Sequence, residues 1–290
     1  PFDEVLEIDH AGTVVWRWQS GESLRPFVPA EAWGNQDLTH MNSVQELPEN
    51  PWYNRGDERF RPGNLLVSAR DLDRVFVIDK QTREVTWSFN TGLQKQHESL
   101  MVETGFPGDG HILLFNKRTR SFYEDRQSTI EEIDPIQNRT LWQYRSAGFH
   151  SPTSGVQQPL PNGNILITST RGGRTFEITR AGRLVWQWAP PFDPMRSHRY
   201  SYSHCPQLAE LDRPVENRVE PADGYRHIDR DVYRFAGRAL LQQIEIDGKN
   251  RKVILKHSND CRQMTLPQAA MVYLEYGVDR KGALEAGWDD

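Results

Sequence analysis

Nine histidines are spread over 290 residues, and four of them, His40, His97, His150 and His204, recur near the start of a short strand-like segment. The run His40-Met41-Asn42-Ser43-Val44-Gln45-Glu46-Leu47 superposes on His204-Cys205-Pro206-Gln207-Leu208-Ala209-Glu210-Leu211, His on His and Glu-Leu on Glu-Leu. His97-Glu98-Ser99-Leu100-Met101-Val102 takes the same place in its own copy, and His150 lies two positions off it. Other polar residues recur at a second fixed place: Arg70 after Ser68-Ala69, Asn116-Lys117-Arg118 after Phe115, and Arg171 after Thr170, with Asn42 two residues beyond His40. Imidazoles interleaved with guanidinium groups and an ammonium make a basic pocket, with forked donors for sulfate, phosphate or carboxylate oxygens. Neutral imidazoles gathered at one level would equally hold zinc, copper or iron, so His40, His97, His150 and His204 are also a candidate metal set. His10, His111, His198, His227 and His257 fall in turns or outer positions and read as solvated. Arg118, Arg120 and Arg126 read as a solvated loop run.

What must position these residues is a repeat. Four segments end apolar-Ile-Asp or apolar-Ile-Thr, turn on polar residues, and alternate toward a Trp: Val5–Asp9 to Trp16, Val75–Asp79 to Trp87, Ile130–Asp134 to Trp142, and Thr175–Thr179 to Trp186. A fifth copy, Gln243–Asp247, leads to Val253-Ile254-Leu255 without the Trp. Period-2 alternation on both sides of a polar turn describes a β-hairpin. Before each of three hairpins stands another apolar strand, Leu65–Ser68, Ile112–Phe115 and Ile165–Ile167, and before each of these a further short one. Four strands per unit, repeated, predict an all-β chain folded as a β-propeller of four-stranded antiparallel blades. Five blades are expected, or six if residues 212–240 hold another. The expected single domain spans 1–290, with the outer hairpin of a closing blade at 1–20, blades at about 40–90, 96–146, 150–190 and 204–257, and a closing segment at 262–290. The innermost strand of each blade would line the central channel, which is what gathers the four histidines.

Composition limits the partners. The 40 acidic against 35 basic side chains give a formal charge of −5, which argues against nucleic acid as a partner. No apolar run approaches the roughly 18–20 residues of a membrane span. Cys205 and Cys261 allow one disulfide at most. The Pro1-Phe2-Asp3-Glu4 start shows no basic-then-apolar leader.

The chain resembles the arylsulfotransferase family of propeller enzymes. The resemblance rests on Thr39-His40-Met41-Asn42-Ser43-Val44, Gly63–Arg70, Gln96-His97, Ser128–Pro135, Leu160–Ile167 and Phe176–Thr179 to Trp186, over about residues 36–190. Where the family commonly carries Phe-Asp-Asn-Gly, this chain has Phe115-Asn116-Lys117-Arg118. The resemblance implies sulfuryl transfer from a phenolic sulfate to a phenolic acceptor through a sulfated histidine, and a periplasmic or secreted location. By motif it implies catalytic roles for His40, His97 and His150, with His150 matched to the nucleophile; His204 joins them by the repeat. A second His would carry the proton. Arg70 or Arg171 with Lys117 would hold the sulfonate oxygens, beside Asn42 and Asn116, while Tyr200, Tyr202, Trp33 or Trp52 would sandwich an aryl ring. No cofactor is expected, and the partner is a small aromatic or anionic molecule. The alternatives are a metal-dependent lyase, cyclase or oxidase with one transition metal on the four histidines, and a non-catalytic scaffold presenting its loops to a protein.

Overall fold

A computed structural model describes residues 3–30, 37–118, 127–146, 149–190, 193–211, 241–247 and 252–257. Among the described residues the chain is all-β, with three four-stranded antiparallel sheets whose strands neighbour each other in sequence order. The first holds β3 (Met41–Glu46), β4 (Leu65–Ala69), β5 (Arg74–Ile78) and β6 (Val85–Phe89). The second holds β7 (His97–Met101), β8 (Ile112–Asn116), β9 (Thr129–Asp134) and β10 (Arg139–Tyr144). The third holds β11 (Val156–Pro159), β12 (Ile165–Ser169), β13 (Arg174–Ile178) and β14 (Leu184–Trp188). Two further hairpins stand at β1 (Glu4–Ile8) with β2 (Val14–Gln19) and at β15 (Leu241–Asp247) with β16 (Lys252–His257). Among the described residues no helix is long and apolar enough to cross a membrane.

The central strands are buried on both faces, which is why they read as near-continuous apolar runs instead of alternating ones. The two faces serve different interfaces. Leu66, Val75 and Val77 pack toward Met101, Ile112 and Leu114 of the second sheet, while Leu65, Val67, Phe76 and Ile78 pack toward Trp18 of the first hairpin and Leu24 just after it. Likewise Leu113 and Phe115 turn toward Ile165, Ile167 and Phe176 of the third sheet. The pleat thus assigns alternate residues of one strand to two different neighbours.

The repeated Trp fastens each sheet to the next. Trp16 Nε1 donates to the Lys80 carbonyl, Trp87 Nε1 to that of Pro135, and Trp142 Nε1 to that of Arg180, each at 2.9 Å. Each acceptor follows the Asp or Thr that opens a hairpin turn, so one Trp reads the same place in the following sheet. Asp9, Asp79 and Asp134 shape those turns, because Oδ1 of each accepts amides two to four residues on. Between β3 and β4 the chain forms α2 (Pro51–Asn54), capped by Asn50 and started by Pro51, the α1 turn being Ser20–Ser23. Trp52 of α2 donates to the Gly110 carbonyl at 2.7 Å, and a Cβ on Gly110 would stand 2.7 Å from Pro51.

One expected element is different. The strand anticipated over His204–Leu211 is a helical turn, α3 (Pro206–Ala209). Pro206 suits the first position of a helix and cannot donate to a ladder, so the sequence likeness to His40–Leu47 does not carry the strand over. The place beside the third sheet is taken earlier in the chain. Gln158, opposite Leu166, exchanges two hydrogen bonds with the Arg199 backbone (2.7 and 2.9 Å), as Gln45, opposite Leu66, does with the Met101 backbone (2.6 and 3.2 Å). Arg199 therefore meets β11 as Met101 of β7 meets β3. Residues 212–240 and the segment 262–290 expected to close the ring lie outside the described residues.

Candidate functional site

The site forms where β3 and β7 begin. These strands meet through hydrogen bonds from Asn42 Nδ2 to the Gln96 carbonyl at 2.8 Å and from the Ser99 amide to Ser43 Oγ at 3.0 Å. Each strand carries a bulge at this end, at Met41/Ser43 against β4 and at His97/Leu100 against β8. Bulges re-aim side chains without ending the sheet. Positive φ values gather here as well, at His40 (45°), Asp73 (48°), Lys95 (52°), Glu98 (47°) and Arg118 (56°). Left-handed backbone at residues with a Cβ persists only where the surroundings enforce it, and such strain concentrates at functional sites.

Register refines the histidine alignment. Glu46 opposite Leu65 and Met101 opposite Ile112 hold the same place, because Leu65 and Ile112 lie opposite Ile78 and Ile133, the residues before the turn aspartates. Counting back along both strands, His97 is level with Asn42, and Lys95 is level with His40. The two histidines are therefore offset by two residues in this count. They still share one electrostatic neighbourhood, which also contains Arg70 and Lys117.

His97 is its centre. Burial comes first, and Lys117, Arg70 and His40 add to it, in pushing the imidazole down to about 3. Its Nε2 is fully covered and meets no hydrogen-bond partner among the described residues. Lys117, one residue past β8, is buried and donates from Nζ to the Pro152 carbonyl at 3.0 Å. Burial, then Arg70 and Lys95, lower its pKa to about 8, against the pull of Asp71 and Asp73. Arg70 follows β4 and donates from Nε to Asp71 at 2.6 Å, where Lys95 Nζ also donates at 2.9 Å. Burial works against the Asp71 charge, yet the hydrogen bonds from Arg70 and Lys95 outweigh it and hold the carboxyl below its ordinary range. His40 sits toward the rim, its side chain 36% exposed and its Nδ1 paired with Asp37.

The remaining expected residues fall elsewhere. His150 is buried on the loop between β10 and β11, and Lys117 ties that loop to the site through Pro152. Asn116 is a structural clamp: its Oδ1 accepts from the amides of Gln94 and Arg118, and its Nδ2 donates to Gly92 and Glu131. Arg171, between β12 and β13, braces neighbouring loops, donating from Nε to Thr153 at 3.1 Å and lying 3.6 Å from Asp193. His204 and Tyr202 are exposed, and the His204 ring packs on Tyr200 at 4.5 Å, apart from the groups acting on His97. Trp52 stacks with His111 near Gly110. Trp33 lies outside the described residues. Sequence reasoning missed Asp37, Asp71, Asp73 and Lys95. Lys95 carried a signal, standing two residues before His97 as His40 stands before Asn42. Among the described residues no three His, Cys, Asp or Glu side chains come together as metal ligands, so the four-histidine metal alternative finds no ligand set.

The sequence profile of the arylsulfotransferases (ASST) matches residues 5–190, which covers the first hairpin and all three four-stranded sheets. The chain belongs to the arylsulfotransferase family. No curated protein matches it. Solved structures similar to it include a protein of unknown function from Bacteroides caccae (14% identity, TM-score 0.39, covering 65% of this chain and 58% of that one). They also include the WD40 β-propeller domain of Doa1 (14%, 0.39, 62% and 45%) and the Dos1 propeller (11%, 0.40, 64% and 42%). This arylsulfotransferase-family chain thus spans between about two fifths and three fifths of the length of those proteins.

Proposed function

We propose that this chain moves a sulfuryl group from an aryl sulfate to a phenol, and that His97 is the side chain that carries it. The observation bearing most weight is the His97 imidazole beside Arg70 and Lys117, its covered Nε2 without a hydrogen-bond partner among the described residues. Adding a proton to His97 would add a positive charge next to two cations. Adding SO3 adds none, and it places three electronegative oxygens where those cations attract them. The same field that suppresses protonation therefore favours the adduct, and the neutral imidazole keeps its lone pair for attack. Arg70 has both terminal guanidinium nitrogens without a hydrogen-bond partner among the described residues, which suits a forked grip on sulfonate oxygens. Sulfuryl transfer, like phosphoryl transfer, asks mainly for in-line positioning and charge stabilisation.

The reading includes the architecture. The three sheets, joined Trp to turn, are consecutive blades of a ring of five, and β1–β2 is the outer hairpin of the blade before them. The test is incubation with 4-nitrophenyl sulfate and a phenol, followed by mapping of any sulfated residue. The expected result is nitrophenol release, an adduct of one SO3 on the peptide containing His97, and loss of both in His97→Ala. An adduct on His150 would move the nucleophile to the family-matched position. No release from the unaltered protein would overturn the activity.

A further inference from the structure

We propose that Lys117 is the proton carrier of this reaction, giving a proton to the aryl oxygen that leaves and taking one from the phenol that enters. The proposal rests on the sulfuryl-transfer reading above. An unactivated phenolate is a poor leaving group unless it is protonated as it departs. His97 cannot supply that proton while accepting sulfur, and Arg70 does not release protons at all. His40 is held by Asp37 at the exposed rim.

Lys117 is a buried side chain inside the cluster, and its Nζ makes one hydrogen bond among the described residues, to the Pro152 carbonyl. An ammonium has three donors, so two remain for a substrate oxygen. The charged groups that face it come from every neighbouring element. They are Arg70, Asp71 and Asp73 after β4 and Lys95 just before β7, with the neutral His97 ring in the same neighbourhood. Burial and the cations lower its pKa to about 8, so ammonium and amine are both within reach near neutrality. In the first half-reaction the His97 nitrogen bonds to sulfur as the sulfur–aryl oxygen bond breaks, and that oxygen takes a proton from Lys117. In the second, the acceptor hydroxyl gives its proton to the Lys117 amine as its oxygen bonds to sulfur and the His97 nitrogen leaves. The sum is one aryl sulfate and one phenol exchanged for another pair, with both side chains restored.

The test is single-turnover release of the first product from phenyl sulfate and from 4-nitrophenyl sulfate, between about pH 6 and 10, in the unaltered protein and in Lys117→Arg. Phenol release should fall about tenfold per pH unit above about pH 8, while nitrophenolate, which departs unaided, should show no such fall. Lys117→Arg keeps the charge but loses the proton, so it should slow phenyl sulfate by about 100-fold or more, slow 4-nitrophenyl sulfate far less, and abolish the fall near pH 8. Equal losses on both donors, or a fall that survives the substitution, would overturn the proposal. Should Lys117→Arg fail to fold, the unaltered protein decides alone: a fall shared by both donors, or absent from both, overturns the proton role. Absence of release from either donor would instead refute sulfuryl transfer itself.

Discussion

His97 gives the sharpest prediction, because its ring is neutral in the fold at pH values where a free imidazole is charged. The perturbation is acid. In the folded chain the pKa is about 3, against an ordinary value of 6.5. Below 6.5 the unfolded chain binds a proton that the folded chain refuses, so stability is full above 6.5 and declines as pH falls toward 3. The slope is about 1.4 kcal/mol per pH unit, which makes the loss from this one residue roughly 2 kcal/mol at pH 5. His97→Asn removes the titrating group while keeping a side chain of similar reach. Urea unfolding of both proteins at neutral pH and at about pH 5 separates this term from the carboxylates, which titrate in both. The unaltered protein should lose about 2 kcal/mol more than the variant. Imidazole nitrogen NMR should show His97 only about 1% protonated at the lower pH. A His97 titration within about one unit of 6.5, or equal acid losses in the two proteins, would refute the account of the site as a buried imidazole under a cationic field.

Two further outcomes test the frame around the site. Trp87→Phe keeps the ring in the core but loses the donor to Pro135 and to Asn138, so it should destabilise by about 1–2 kcal/mol in denaturant unfolding. Asn116→Ala should lower stability by about 2–4 kcal/mol, since it leaves two backbone amides and the buried Glu131 short of partners. Its effect on the sulfuryl donor should appear in the rate and not as loss of donor binding, because Asn116 holds loops and has no free polar atom.

Much of the repeat was legible in the sequence. The Asp-to-Trp spacing located the outer hairpins, because an Asx turn and an inter-sheet Trp each need one residue type at one place. The apolar runs at Leu65, Ile112 and Ile165 located the central strands, because a strand buried on both faces has no polar side to hide. His97 and Lys117 were both named from the same repeat, and both stand in the cluster. The likeness of His204–Leu211 to His40–Leu47 misled, because a helical turn at Pro206 was locally cheaper than an inner strand. Arg171, Asn116 and His204 had suitable chemistry and suitable repeat positions, but their polar atoms are engaged elsewhere or their rings face solvent.

From residue order alone came the element types, their approximate limits and the candidate chemistry, since these follow from periodicity and side-chain type. Only the folded chain decided which of those groups act together. Strand register offset His97 from His40, and a shared Asp71 drew Lys95 and Arg70 into one ion-pair network. Desolvation and the neighbouring cations then favour the neutral imidazole and lower the pKa of the Lys117 ammonium. Desolvation and charge act through space and depend on what surrounds a group on every side, which spacing along a chain does not contain.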